Sequence, residues 1–354
     1  MTALGRFPQL DGLRAVAMCG VLYVHLFNPG TATEHLRVSL FFVISGFLIT
    51  HVLLAARDTG QNLGIHRFYI RRALRLFPAL LILVLVAFAF DMDGFRASAL
   101  WHAGQMSNIF FSITAPTGQW HPWVAGHLWS LNIVEQFYLA APFLVIYLTR
   151  RQMLLIVSAA WVVTVFIRVN ADHMGPLYPF VWNVLCYDPI FTGVIARLLL
   201  FDARLVALAR ARIGTLLAIG VMAMPLFLWA DYGHSETYRL LMQPALALIV
   251  MQSFLGYPGI VGAMLSSRPA LFLARISYGV YIYHLALWWM LSKVRPEMID
   301  PGFAPLVIVS SLSIIVATLS YHLIERPIAR LKSRFPVAMA KPISGSAAQI
   351  PARP

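Results

Sequence analysis

Three ionisable side chains lie inside apolar stretches of this chain, each of a type that does chemistry in such a place. Arg14 and His25 fall in the run from Leu10 to Phe27, and Glu135 falls in the run from His127 to Tyr138. A charged Arg at the centre of a membrane span costs roughly 2.5–3.5 kcal/mol on insertion scales, so such groups are functional candidates by default. At about 1.5 Å per residue, Arg14 and His25 stand roughly 16 Å apart along a helix. That places them near opposite membrane faces. An imidazole titrates near neutrality and can take a proton from a hydroxyl and return it. Glu135 lies about two turns into its run, with Asn132 and Gln136 beside it at helical spacing. A carboxylate there can orient an imidazole or balance its charge, as in other acyl-transfer sites. Each residue also has a structural reading. Arg14 is then an interfacial anchor, His25 an interhelical hydrogen bond and Glu135 the partner of a buried Arg.

Further clusters carry two readings each. Arg67, Arg71 and Arg75 recur at i, i+4 and i+8 in His66-Arg67-Phe68-Tyr69-Ile70-Arg71-Arg72-Ala73-Leu74-Arg75, with Arg72 beside the stripe. Guanidinium forks match phosphate oxygens, and the same stripe also suits an anchor on anionic lipid. Ser45-Gly46, inside Leu40–Thr50, permits close helix packing or leaves room for a narrow ligand arm. Trp101, His102, Trp120, His121 and Trp123 form either an interfacial aromatic belt or flat surfaces for a sugar face. The runs Ile276–His284 and Ser320–Pro327 read as structural, with Pro327 stopping a helix.

These residues need membrane helices to position them. The chain has 354 residues, 60% hydrophobic and only 12% charged, and a mean hydropathy of +0.74. Soluble chains run near 25% charged, so an ordinary soluble domain is excluded. Apolar runs predict about ten spans, near 13–27, 36–56, 76–92, 128–148, 153–169, 180–201, 213–230, 240–255, 270–291 and 304–324. The expected fold is an all-α polytopic membrane protein. With the N-terminus inside, 21 of the 27 Lys and Arg residues fall on the inner side and 6 on the outer. This bias predicts both termini in the cytoplasm. The net charge of +13 is thereby assigned to membrane orientation and not to nucleic acid. Residues 1–335 read as one membrane unit and 336–354 as a disordered cytoplasmic tail. Cys19 and Cys186 form no disulfide framework, and no zinc spacing, phosphate loop or Gly-x-Ser-x-Gly elbow is evident.

Taken in order, these runs resemble acyltransferase family three, the integral-membrane enzymes that O-acylate bacterial surface sugars and some small molecules. The matching pieces begin with Leu10-Asp11-Gly12-Leu13-Arg14, followed by His25, and Phe41-Phe42-Val43-Ile44-Ser45-Gly46-Phe47. They continue with the basic run through Arg71, Arg72, Arg75 and Pro78, then Trp129-Ser130-Leu131 leading to Glu135-Gln136-Phe137-Tyr138. Ile276-Ser277-Tyr278 leading to His284, and Ile324-Glu325-Arg326-Pro327, complete the set. Two departures stand out. Val134 occupies a position where relatives often carry a second acid, and a common Gly-Val-Asp lead-in reads Arg37-Val38-Ser39.

The resemblance implies acyl-CoA, most simply acetyl-CoA, as a cytoplasmic donor, with no metal. It also implies an acceptor hydroxyl on an extracytoplasmic or lipid-linked glycan, in a bacterial cytoplasmic (inner) membrane. The family's essential Arg and His fall on Arg14 and His25, and its basic inner motif on Arg71, Arg72 and Arg75. The expected mechanism docks the CoA phosphates on those three arginines and threads the pantetheine arm past Arg14 and Ser45. His25 is the expected general base and Glu135 its orienting carboxylate, with Asn132 and Ser45 guesses at oxyanion donors and Asn132 also an expected substrate contact. Trp120 and Trp123 are the expected sugar contacts. Competing expectations are a proton-coupled transporter or flippase built on Arg14, His25 and Glu135, a small-molecule acyltransferase, and a glycan-binding scaffold.

Overall fold

The structure is a computed structural model that describes residues 7–29, 33–60, 64–114, 121–170, 185–211 and 236–335. Its regular elements are all helical. In order they are α1 (Pro8–Leu26), α2 (Thr33–Asp58), α3 (Ile65–Ala89), α4 (Ala99–Ala103), α5 (Ser107–Thr114), α6 (Leu128–Tyr147) and α7 (Arg150–Val169). There follow α8 (Asp188–Leu199), α9 (Ala203–Arg210), α10 (Glu236–Leu255), α11 (Gly259–Leu265), α12 (Arg268–Val294) and α13 (Phe303–Ser320). The last continues through a π turn (Tyr321–Glu325) into short helical turns ending at Arg334.

Local chemistry sets several helix ends. Pro8 opens α1, where a missing N–H costs nothing, and Asp11 in the first turn complements the helix dipole. Thr149 and Gln152 cap α7 reciprocally. The Ser267 hydroxyl oxygen accepts the Ala270 N–H at the start of α12.

Helix α1 runs between two apolar cores. Towards its C-terminus Met18, Val21 and Leu22 pack with Leu80 and Leu83 of α3 and Val280 of α12. Nearer its N-terminus Leu10, Leu13 and Ala17 pack with Val43 and Phe47 of α2 and Met242 of α10. Helices α2 and α8 pack backbone to backbone. A Cβ on Gly193 would lie 2.1 Å from the Val43 carbonyl oxygen, and one on Gly46 2.1 Å from that of Ile190. Small residues at such crossings are how helices in lipid approach closely.

Among the described residues six helices are long and apolar enough to cross a membrane. A seventh results if the pair Met242–Leu255 and Gly259–Leu265, bent by 84°, counts as one span. The expected number was about ten. The run at 213–230 lies outside the described residues, as does the tail at 336–354. The described part of the run at 180–201 forms the 12-residue α8, about 18 Å long against a hydrocarbon core of about 30 Å. The run at 13–27 forms α1, of spanning length but carrying Asp11, Arg14 and His25. Arg168, assigned from sequence to an outer loop end, is buried and ion-paired with the buried Asp188. Gln243 also donates to that carboxylate, and Thr192 and Trp161 donate to Gln243.

Candidate functional site

A cavity of about 400 Å³ runs through the helices that carry the sequence motifs. Phe7, Leu10, Asp11, Arg14 and Val21 of α1 and its entry line one wall, at spacings of one helical face. Val38, Phe41, Ser45, Leu48 and Val52 of α2 line the opposing wall. From Val38 to Val52 this wall extends about 21 Å at the helical rise. Arg14, Arg72 and Arg75 also line the cavity, as do Ser130 and Tyr281. Ser45 sits on the wall midway along the α2 stretch. Gly46, beside it, serves packing against α8, so the Ser-Gly pair does both things the sequence allowed.

The basic run divides its labour. Arg72 donates to Glu135 Oε1 at 2.7 Å and Oε2 at 3.3 Å, and its guanidinium lies 3.4 Å from the Tyr138 ring centroid. Arg14 pairs with Asp11 at 3.1 Å. Arg71 does not line the cavity; it donates to the carbonyls of Lys332 and Phe335, each at 3.2 Å, and so holds the C-terminal turns against α3. Glu135 therefore orients Arg72 and not His25, which corrects the role expected from sequence. The distance along the bundle decides this: Glu135 lines the same cavity as Arg72 and Arg75, whereas His25 lies one turn beyond Val21.

His25 has a different partner. Its Nδ1 lies 2.7 Å from Nε2 of His284, the two rings stacked with 5° between their planes. Nδ1 of His284 lies 2.7 Å from the Tyr281 carbonyl oxygen, and Nη2 of Arg37 lies 3.0 Å from His25 Nε2. The donor inventory permits one proton arrangement. A carbonyl only accepts, so His284 carries its proton on Nδ1 and offers a lone pair at Nε2. His25 then donates from Nδ1 and keeps its own lone pair on Nε2, where Arg37 donates. A cationic imidazole at either position would set an N–H against an N–H. Both rings are thus neutral and the basic nitrogen of His25 is fixed as Nε2. Tyr281, which lines the cavity, is bonded through its hydroxyl to Ser130 Oγ at 2.7 Å and the His127 carbonyl at 2.5 Å.

The remaining expected residues stand apart from both. Asn132 accepts the Ser107 N–H at 2.6 Å and donates to Gln105 at 3.1 Å, so it pins the α4–α5 connection and faces neither the cavity nor His25. Trp123 packs edge-on against Trp288 at 5.5 Å, and its backbone N–H donates to Asp93 Oδ2. Trp120 lies outside the described residues.

A family model described as an acyltransferase domain matches residues 7–322. The chain belongs to acyltransferase family three. Similar proteins include the peptidoglycan O-acetyltransferase of Listeria monocytogenes, 26% identical over 348 residues, covering 91% of this chain and 55% of the relative. A putative peptidoglycan O-acetyltransferase of Bacillus subtilis is 30% identical, covering 91% and 54%. A putative O-acetyltransferase of Staphylococcus aureus is 29% identical, covering 90% and 57%. The chain spans about half the length of the curated relatives it matches. No solved structure matches it.

Within this member of the acyltransferase family, sequence reasoning missed His284 and Arg37. His284 was read as structural because its run opens a span with aromatic residues, and nothing local ties it to residue 25. Arg37 was counted as an outer loop charge. Its position within the long apolar helix α2, where it is 6% exposed, carried the same signal that singled out Arg14.

Proposed function

We propose that this chain is a membrane O-acyltransferase that moves an acetyl group from acetyl-CoA to a hydroxyl of a glycan of the peptidoglycan kind. The observation that carries the reading is the cavity: three arginines line it, and the wall at Val21 and Val38 stops about one helical turn from His25. Arg14, Arg72 and Arg75 supply positive charge for the CoA phosphates, and Glu135 holds Arg72 in place for that task. The apolar faces of α1 and α2, with Ser45 between them, suit an extended pantetheine arm. The donor supplies an acetyl group on a thiolate leaving group.

His25 Nε2 is the base for the acceptor hydroxyl, with His284 setting its tautomer as a carboxylate does in a serine-hydrolase triad. Arg71 contributes by fastening the C-terminal turns against α3. In this reading the end at Phe7 and Val52 faces the bacterial cytoplasm and the His25 end faces outward, in the orientation that the Lys and Arg distribution favours. The relatives' names point to a polymer acceptor, which is why a glycan is preferred here to a small molecule. The test is reconstitution with labelled acetyl-CoA and a soluble muropeptide. Wild-type protein is expected to transfer label, and His25→Ala to insert and fold but lose transfer. Full transfer by His25→Ala would remove that residue from the mechanism.

A further inference from the structure

The group that faces the basic nitrogen of His25 is a guanidinium. Arg37 Nη2 lies 3.0 Å from Nε2, on a side chain of which only 6% is exposed. An arginine serving as an interfacial anchor extends its head into water; this one is turned into the protein and aimed at the proposed base. An acceptor hydroxyl that reaches Nε2 must enter the space between the imidazole and this guanidinium. The two residues hypothesised from sequence as oxyanion donors are placed elsewhere. Both polar ends of Asn132 are engaged by the α4–α5 connection, and Ser45 lies two turns beyond Arg37 along α2, about 12 Å away by helical rise.

Resting on the reading of His25 as base, we infer that Arg37 is a catalytic residue. In the resting site it caps His25 Nε2, and during transfer it donates to the oxyanion that develops on the acetyl carbonyl. As the acceptor oxygen bonds to the thioester carbon, its proton passes to Nε2 and the carbonyl electron pair moves onto oxygen. Arg37, displaced from Nε2 by the hydroxyl, holds that charge. Its planar fork of five donors lets it keep one bond to the oxyanion while others stay with the protein. Collapse breaks the C–S bond, and the departing thiolate takes the proton back from Nε2. The products are an acetyl ester and CoA thiol, with His25 neutral and Arg37 free to return.

The test compares Arg37→Met with Arg37→Lys in reconstituted full-length protein, using acetyl-CoA and a muropeptide, with donor Kd measured calorimetrically. Loss of one oxyanion donor lowers kcat by about 100–1000-fold in known enzymes. Arg37→Met is expected to show that loss with donor Kd within about twofold of wild type. Arg37→Lys, which keeps a cationic donor, should exceed Arg37→Met in kcat by about tenfold or more. Equal kcat in the two variants, or wild-type kcat in Arg37→Met, overturns the inference. If Met at this position does not fold, Arg37→Lys decides alone. About a fivefold or greater loss of kcat at unchanged donor Kd is then expected, and an unchanged kcat overturns it. His25→Gln separates the two ideas. Full activity there sinks the base assignment itself, whereas loss there with full activity in Arg37→Met sinks only the role of Arg37.

Discussion

At the scale of single residues, the protonation of His25 is decided two hydrogen bonds away. The Tyr281 carbonyl fixes His284, and His284 fixes His25. Replacing His284 with Phe fills the space but removes the acceptor for His25 Nδ1–H, so the ring can adopt the unproductive tautomer. In a comparable arrangement the wrong tautomer lowers kcat by about 10⁴. His284→Phe is therefore expected to lose about 100-fold or more in kcat with donor Kd unchanged, and His284→Gln, whose carbonyl can still accept, should lose less. Steady-state transfer assays with calorimetric donor binding check both. The sequence made Arg14, His25 and Glu135 visible because a charge in an apolar run is conspicuous. It did not make their pairings visible. Residues 25 and 284 meet only through tertiary packing, and Glu135 had two plausible cationic neighbours until the depth of each side chain was known.

At the scale of elements, the crossing of α2 and α8 has no space for a side chain. A Cβ on Gly193 would meet the Val43 carbonyl oxygen at 2.1 Å and the Phe47 nitrogen at 2.8 Å. Overpacking ordinarily costs about 1–3 kcal/mol, and backbone atoms cannot rotate away, so Gly193→Val is expected to reach or exceed that range. A lowered unfolding midpoint in detergent, relative to Gly193→Ala and wild type, is the readout. The segment between α3 and α6 contains a second device. His102 is fully buried in α4, bonded to Ser98 and Ser107, and burial lowers its pKa to about 4. The unfolded chain takes up a proton near pH 6.5 that the folded protein refuses until about pH 4. Stability therefore falls as pH drops through that window, by about 3 kcal/mol for a shift of this size. His102→Asn is expected to flatten the part of the midpoint's pH dependence that this residue supplies, measured between pH 7 and 4.5. Helix type and most boundaries followed from hydropathy alone. The described residues hold six or seven spans of the expected ten, since α1 carries three ionisable side chains, α8 is short and the run at 213–230 lies outside them.

At the scale of the whole molecule, the motifs scattered from Leu10 to Tyr281 acquire a common purpose because they line one cavity. Order along the chain indicated that they belong together; only the packing of α1, α2, α3, α6 and α12 shows that they share a wall. The composition excluded a soluble domain, but it held no information on where empty space would be left. The central claim is that this space carries the donor. Ser45→Trp tests it most directly, since residue 45 lines the cavity midway along α2 and an indole there occupies the path. Calorimetric titration of acetyl-CoA into the reconstituted variant, shown folded by its unfolding midpoint, is the measurement. Donor affinity reduced about 100-fold or more is the expected result, and a wild-type Kd would contradict the account.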